Sequence, residues 1–131
     1  MRVLFVEDDP MNRRVVRDML SVAGVAMDEA ATAELGLAAI EANEYAVILM
    51  DLRMPGMDGF SAIRQIRERA DSKAKLPIAV VTADAGSDLR YRCLEAGADD
   101  VVMKPVAMKS LFDALGRLLA ANTAVTEAVL A

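Results

Sequence analysis

Histidine and tryptophan are absent from this 131-residue chain, cysteine occurs once, and aromatic residues make up only 4% of it. Without histidine the chain holds no histidine phosphodonor, no histidine-ligated metal site and no Ser-His-Asp or Cys-His catalytic centre. The one cysteine, Cys93, has no internal disulfide partner, which points to a reducing, cytoplasmic setting. On an apolar helix face it reads as core filler. No apolar run approaches the ~18 residues of a membrane span and no charged-then-apolar leader is seen, so no membrane partner is expected. Basic charge is not in excess either. Fifteen Lys and Arg stand against twenty Asp and Glu, a net charge of −5, which argues against a nucleic-acid surface. Repeats, low-complexity tracts and linkers are missing. What is present is 55% hydrophobic and 27% charged residues, the balance of one globular core rather than a disordered chain.

Short apolar runs alternate with stretches of helical periodicity. Runs at residues 2–7 (RVLFVE), 25–30, 46–50 (AVILM), 77–82 (PIAVVT) and 100–103 (DVVM) read as five strands. Strands apolar on both faces suit a parallel sheet covered by helices on each side. Between them Asp9, Thr32, Asp58 and Ser87 are predicted N-caps, and a fifth helix starts near Met108. Pro10 suits the first turn of helix one, and Gly24 and Gly97 are predicted helix stops. Inward stripes are expected at Val16, Met19, Leu20 and Ala23, and at Ala33, Leu37 and Ile40. Helix three should carry Phe60, Ile63, Ile66 and Ala70, helix four Leu89 and Cys93, and helix five Leu111, Leu115, Leu118 and Leu119. Asp99 and Asp100 read as solvated turn residues. Five βα units in series predict an open, doubly wound α/β sheet. Residues 1–121 form the expected domain, and 122–131 a tail, either a frayed or loosely docked end or a short helical extension with Val125, Val129 and Leu130 aligned.

The chemistry gathers at strand ends. Glu7 and Asp8 close strand one and Asp51 closes strand three. With strand order 2-1-3-4-5, strands one and three are neighbours at the point where ligands bind in such sheets. Three carboxylates in one crevice repel unless a cation intervenes, and an oxygen-only donor set suits Mg²⁺ or Mn²⁺. Thr82 adds a hydroxyl and Lys104 an ammonium at the ends of strands four and five. A carboxylate, a divalent ion, a hydroxyl and a cation are what a phosphoryl group in flight requires, and an Asp can itself be the nucleophile.

The motifs FVEDDP (5–10), ILMDLRMPGMDGF (48–60), VVTAD (80–84) and VMKP (102–105) stand in the order and spacing of the response-regulator receiver family, and over residues 1–121 the chain resembles it. The resemblance implies a flavodoxin-like (βα)5 fold with strand order 2-1-3-4-5. It implies a phosphoacceptor switch rather than an enzyme, accepting a phosphoryl group on Asp51 from a histidine kinase or histidine phosphotransfer protein. Self-phosphorylation from small donors and autodephosphorylation come with it. Asp8 would ligate Mg²⁺, Glu7 would hold a metal-bound water, and the Arg53 carbonyl would be a further ligand. Thr82 would bond the phosphoryl group, and Lys104 would pair with Asp51 and then with a phosphoryl oxygen. The Lys104–Pro105 peptide is cis in many relatives. Arg53 and Asp84 occupy positions that modulate water attack on the aspartyl phosphate, and their opposite charges are expected within ion-pair distance. The rim of helix one, Met11, Arg14 and Val15, is the expected contact for the phosphodonor protein.

Two positions depart from the family pattern. Val101 stands where an aromatic is frequent, so the switch region of Thr82 and Val101 lacks an aromatic swing. Val106 follows the Lys-Pro pair where Phe is common. With no residues left for an effector, a stand-alone receiver acting on an unidentified downstream protein is expected; the alternative is a receiver excised from a hybrid histidine kinase. A haloacid-dehalogenase-type phosphatase would want an Asp where Arg53 stands, and a flavin phosphate would be repelled by Glu7, Asp8 and Asp9. A phosphorylation-dead adaptor would not need the full acid, Thr and Lys set.

Overall fold

The computed structural model describes the backbone of residues 1–130 and the side chains of residues 1–120. Five strands, β1 (Arg2–Val6), β2 (Ala26–Ala30), β3 (Val47–Asp51), β4 (Ile78–Thr82) and β5 (Asp100–Met103), alternate with α1 (Pro10–Val22), α2 (Ala33–Ala42), α3 (Gly59–Arg67), α4 (Leu89–Ala96) and α5 (Met108–Leu130). All strand pairs are parallel and the order is β2-β1-β3-β4-β5. The backbone of 122–130 continues α5 without a break, and the expected alignment of Val125, Val129 and Leu130 concerns side chains outside the described residues.

Alternation along each strand sends successive side chains to opposite faces. Leu4, Val6, Ile48, Met50, Ile78 and Val80 pack under α2, α3 and α4 with Ile40, Ile63 and Cys93. Val3, Phe5, Val47, Leu49, Ala79 and Val81 pack under α1 and α5 with Leu20, Leu111 and Leu115. β3 and β4 are buried at every position, because each has a strand on both sides and helices on both faces. β2 lies at the edge, and its Asp28 and Glu29 reach Arg2, Arg13 and Arg17 instead of a core.

Caps place the helices. Asp9 accepts from Met11 N at 2.8 Å, Thr32 from Leu35 N at 3.1 Å and Asp58 from Ser61 N at 2.8 Å. Gly24 and Gly97 follow α1 and α4 with φ of 71° and 116°, backbone that favours glycine. Four expectations are corrected. Asp88, not Ser87, occupies the α4 cap position and makes no side-chain cap bond. The loop is turned earlier, where Asp84 Oδ1 accepts from Gly86 N at 2.9 Å and Leu89 N donates to Gly86 O at 3.1 Å. α3 stops at Arg67, so Ala70 is exposed beyond it, and a 3-10 turn follows at Ser72–Lys75. Ala23 is exposed, since α1 ends one residue before it. Asp100 is buried rather than solvated: it is the first residue of β5, and Arg117 of α5 donates to it through Nε at 2.9 Å. Asp99 is exposed but structural, accepting from Ile78 N at 2.9 Å and Arg67 at 3.0 Å.

Candidate phosphoryl-transfer site

β1 and β3 pair directly, while the chain leaves β1 for β2 on one side and reaches β3 on the other, so the crevice at their carboxyl ends is the switch point of the sheet. Glu7 follows β1 immediately, Asp51 is the last residue of β3, and Thr82 is the last of β4. All three are buried. Asp8 is exposed beside them. Lys104 follows β5, its N donating to Thr82 O at 2.8 Å, and the Lys104–Pro105 peptide is cis. Around these groups lies an open cavity of about 540 Å³, which Asn12, Arg53 and Asp84 also line.

The backbone after β3 explains why Asp51 is held so firmly. The loop 52–58 turns through Gly56, φ 81°, and returns to start α3 against the strand end. Gly59 N donates to Leu52 O at 3.0 Å. A Cβ on Gly59 would lie 2.2 Å from Asp51 O and 2.8 Å from Leu52 Cα, so only glycine fits. Hence the glycine following Asp58 serves a close approach of two backbones.

Electrostatics set the ground state of the pocket. Lys104 Nζ lies 3.0 and 3.2 Å from the two Glu7 carboxylate oxygens and 3.2 Å from Asp51 Oδ1. Its pairing is thus shared between two acids, where an Asp51 partner alone was expected. Burial pulls the Lys104 ammonium pKa down, but its bonds to Glu7 and the charge of Asp51 outweigh that, and it stands above its usual value. Burial pushes Glu7 up to about 7, and the neighbouring Asp51 carboxyl adds to the rise; Asn12 and Lys104 oppose it. Carboxylate oxygens from Glu7, Asp8 and Asp51 lie within 4.8 Å of one another. Three hard oxygen donors with no soft ligand fit Mg²⁺, which would supply charge neutralisation at an incoming phosphoryl group.

Thr82 Oγ1 accepts from Asp84 N at 3.1 Å, which leaves its hydroxyl hydrogen to donate. Arg53 and Asp84 meet across the pocket mouth, Nη2 to Oδ2 at 3.4 Å, with the Arg53 side chain 82% exposed. The bond from Gly86 N holds the Asp84 carboxyl below its ordinary pKa, helped by the Arg53 charge. Met11, Arg14 and Val15 are all exposed on α1. Val101 is half-buried on the α4 side, and an apolar cavity of about 380 Å³ opens beside it, lined by Leu89 and Met103. Cys93 is fully buried, and burial raises its thiol pKa.

One residue was not singled out from sequence. Asn12 Nδ2 donates to Glu7 Oε1 at 2.7 Å. The available signal was its place as third residue of a helix capped by Asp9, a position whose side chain turns back toward the preceding segment.

Comparison with known proteins shows the family and agrees with the fold. A family model described as "Response regulator receiver domain" matches residues 3–116. The sensor histidine kinase RcsC of Salmonella typhi is 35% identical over 111 residues, 85% of this chain but 11% of that protein. The transcriptional regulatory protein ResD of Bacillus subtilis is 39% identical over 111 residues, 84% of this chain and 44% of that protein. The chain therefore spans about a tenth of the first curated relatives it matches. Among solved structures, the receiver domain of the sensor histidine kinase PA1611 from Pseudomonas aeruginosa PAO1, with a magnesium ion coordinated in its active-site cleft, has a TM-score of 0.83. It is 35% identical, covering 91% of this chain and 97% of that one. The chemotaxis protein CheY4 of Vibrio cholerae has a TM-score of 0.84 at 28% identity, covering 90% of this chain and 98% of that one. Among the described residues no helix is long and apolar enough to cross a membrane.

Proposed function

This chain belongs to the response regulator receiver domain family, and from that premise we propose that it is a phosphoacceptor switch carrying its phosphoryl group on Asp51. The observation that supports this most is a buried Asp51 carboxylate flanked by Lys104 at 3.2 Å and by two further acids in cation-binding range. Receiver domains work with histidine kinases or histidine phosphotransfer proteins in phosphorelays. In the proposed step an Asp51 oxygen attacks the phosphorus of a phosphohistidine. The new O–P bond forms as the N–P bond breaks, and the bonding pair returns to the imidazole of the donor. Little covalent work falls to the receiver beyond that attack; positioning and neutralisation do the rest.

Each residue then has a task. Lys104 moves from Glu7 and Asp51 to a phosphoryl oxygen, and the Thr82 hydroxyl donates to another. Asp8, Glu7, Asp51 and the Arg53 carbonyl would hold Mg²⁺, or Mn²⁺ in its place. Arg53 and Asp84 screen the aspartyl phosphate from water and so set its lifetime. Met11, Arg14 and Val15 form the contact for the donor protein, because its histidine must come within bonding reach of Asp51. The output signal passes through Thr82 to Val101 and the apolar cavity beside it, toward a downstream protein. A cytoplasmic setting and self-phosphorylation from small donors belong to the same reading.

Acetyl phosphate tests it. In Mg²⁺ the parent should acquire a hydroxylamine-sensitive label that is absent from Asp51→Asn and lost in excess chelator. Full labelling of Asp51→Asn would assign the acceptor elsewhere. A receiver segment of a hybrid histidine kinase is the second reading, favoured by the small share of RcsC that the match spans. The size of the native polypeptide in the source cell, read on an immunoblot, separates it from a stand-alone receiver.

A further inference from the structure

We propose that Asn12 is a positioning residue for cation binding, its amide fixing the Glu7 carboxylate so that one oxygen stays available to the cation site. The inference rests on the reading of the pocket as a receiver site for Mg²⁺. Lys104 reaches both Glu7 oxygens, at 3.0 and 3.2 Å. With Lys104 as its sole side-chain donor, the carboxylate would be free to turn about its last torsion, and nothing would fix which oxygen faces the cation site. Asn12 Nδ2, at 2.7 Å from Oε1, makes the shortest of these contacts. Two donors then share Oε1, and the uncommitted lone pairs of the carboxylate are concentrated on Oε2.

A neutral amide suits this task on charge grounds. A Lys or Arg at position 12 would repel an incoming cation, and an Asp would add a fourth acid to Glu7, Asp8 and Asp51, already within 4.8 Å of one another. The placement is rigid for local reasons. Asp9 caps α1 and Pro10 opens it, which puts Asn12 at the third helical position, facing back to the end of β1. The next residue completes the grip. Arg13 Nη1 donates to the Glu7 carbonyl at 2.7 Å and its Nε to Glu29 at 3.1 Å, so consecutive α1 residues hold Glu7 by its carboxylate and by its main chain. Outer partners that orient a ligand in this way are typically worth about 10–100-fold in metal affinity.

Mg²⁺ titration calorimetry on the full chain, with no phosphodonor present, tests this. Asn12→Leu, of similar shape but without the donor, should raise the Kd about tenfold. In a Glu7→Gln background the same substitution should add less than roughly a twofold change, since the oriented carboxylate is already gone. Acetyl-phosphate labelling should show a shift in the half-saturating Mg²⁺ concentration with a saturated rate near that of the parent. A purely structural role would lower the thermal midpoint in EDTA and leave that half-saturation point alone. Asn12→Ala serves should the leucine variant fail to fold. A Kd within twofold of the parent in the folded variant, or an equal loss with and without the Glu7 carboxylate, would overturn the proposal alone. A parent that binds no Mg²⁺ would overturn the site reading and this proposal with it.

Discussion

In metal-free protein the pocket should cost stability, and Glu7→Gln should recover it. Glu7 is fully enclosed next to Asp51, and burial followed by that neighbour raises its pKa from 4.5 to about 7. The folded chain thus binds this proton more tightly than the unfolded chain. Below pH 4.5 both states are protonated at this group and its contribution is fully present. Between 4.5 and about 7 the unfolded chain releases the proton first, so stability falls as pH rises, and it levels off above 7. At 1.36 kcal/mol per pH unit the whole drop comes to roughly 3 kcal/mol. That is a sizeable part of the ~5–15 kcal/mol that holds a domain together. Urea denaturation in EDTA, followed by far-ultraviolet circular dichroism at pH 5.5 to 8, measures it. The difference between Glu7→Gln and the parent, which subtracts every other titrating group, should grow in favour of the variant up to about pH 7 and then level off. Mg²⁺ at a hundred times its Kd should return about 2.7 kcal/mol to the parent, and less to the variant. A parent that matches or exceeds Glu7→Gln in EDTA at pH 8 would refute the reasoning, because it would mean the enclosed carboxylate ionises without penalty.

Arg53→Ala and Asp84→Ala should each change the dephosphorylation rate of the labelled protein severalfold while leaving Mg²⁺ affinity nearly unchanged. Their effects should be non-additive, since the two side chains meet at 3.4 Å; parent-like rates in both would end the idea. Met11→Asp with Arg14→Glu should slow phosphotransfer from a phosphohistidine protein yet leave acetyl-phosphate labelling intact, and equal rates from the protein donor would remove this rim from the docking contact. Gly59→Ala should cost about 1–3 kcal/mol of stability, read as a lowered urea midpoint, because its Cβ would meet the Asp51 carbonyl and not a side chain that can move. A midpoint equal to the parent's would show that α3 can step back from β3 freely.

The elements and the acids at their ends were legible because they are local. Caps such as Asp9, Thr32 and Asp58 act within three residues, and an apolar run like residues 46–50 declares a buried strand whatever its neighbours are. Asp51, Thr82 and Lys104 announced themselves as polar residues where such runs stop. The chain's own pattern therefore determined five βα units, two helical layers and the residues at the mouth of the sheet. What it left open depends on distances between segments far apart in sequence. Lys104 lies 97 residues from Glu7, and only the β1-β3, β3-β4 and β4-β5 pairings together bring its ammonium to both Glu7 and Asp51. Whether Asp100 is solvated or enclosed turns on where α5 brings Arg117, 17 residues on. Asn12 looks like any polar helix residue until α1 is packed over β1 with its third position aimed at Glu7. Local chemistry chooses the elements, but burial and charge pairing are properties of their assembly, and a carboxylate pushed up to about 7 has no counterpart in the unfolded chain.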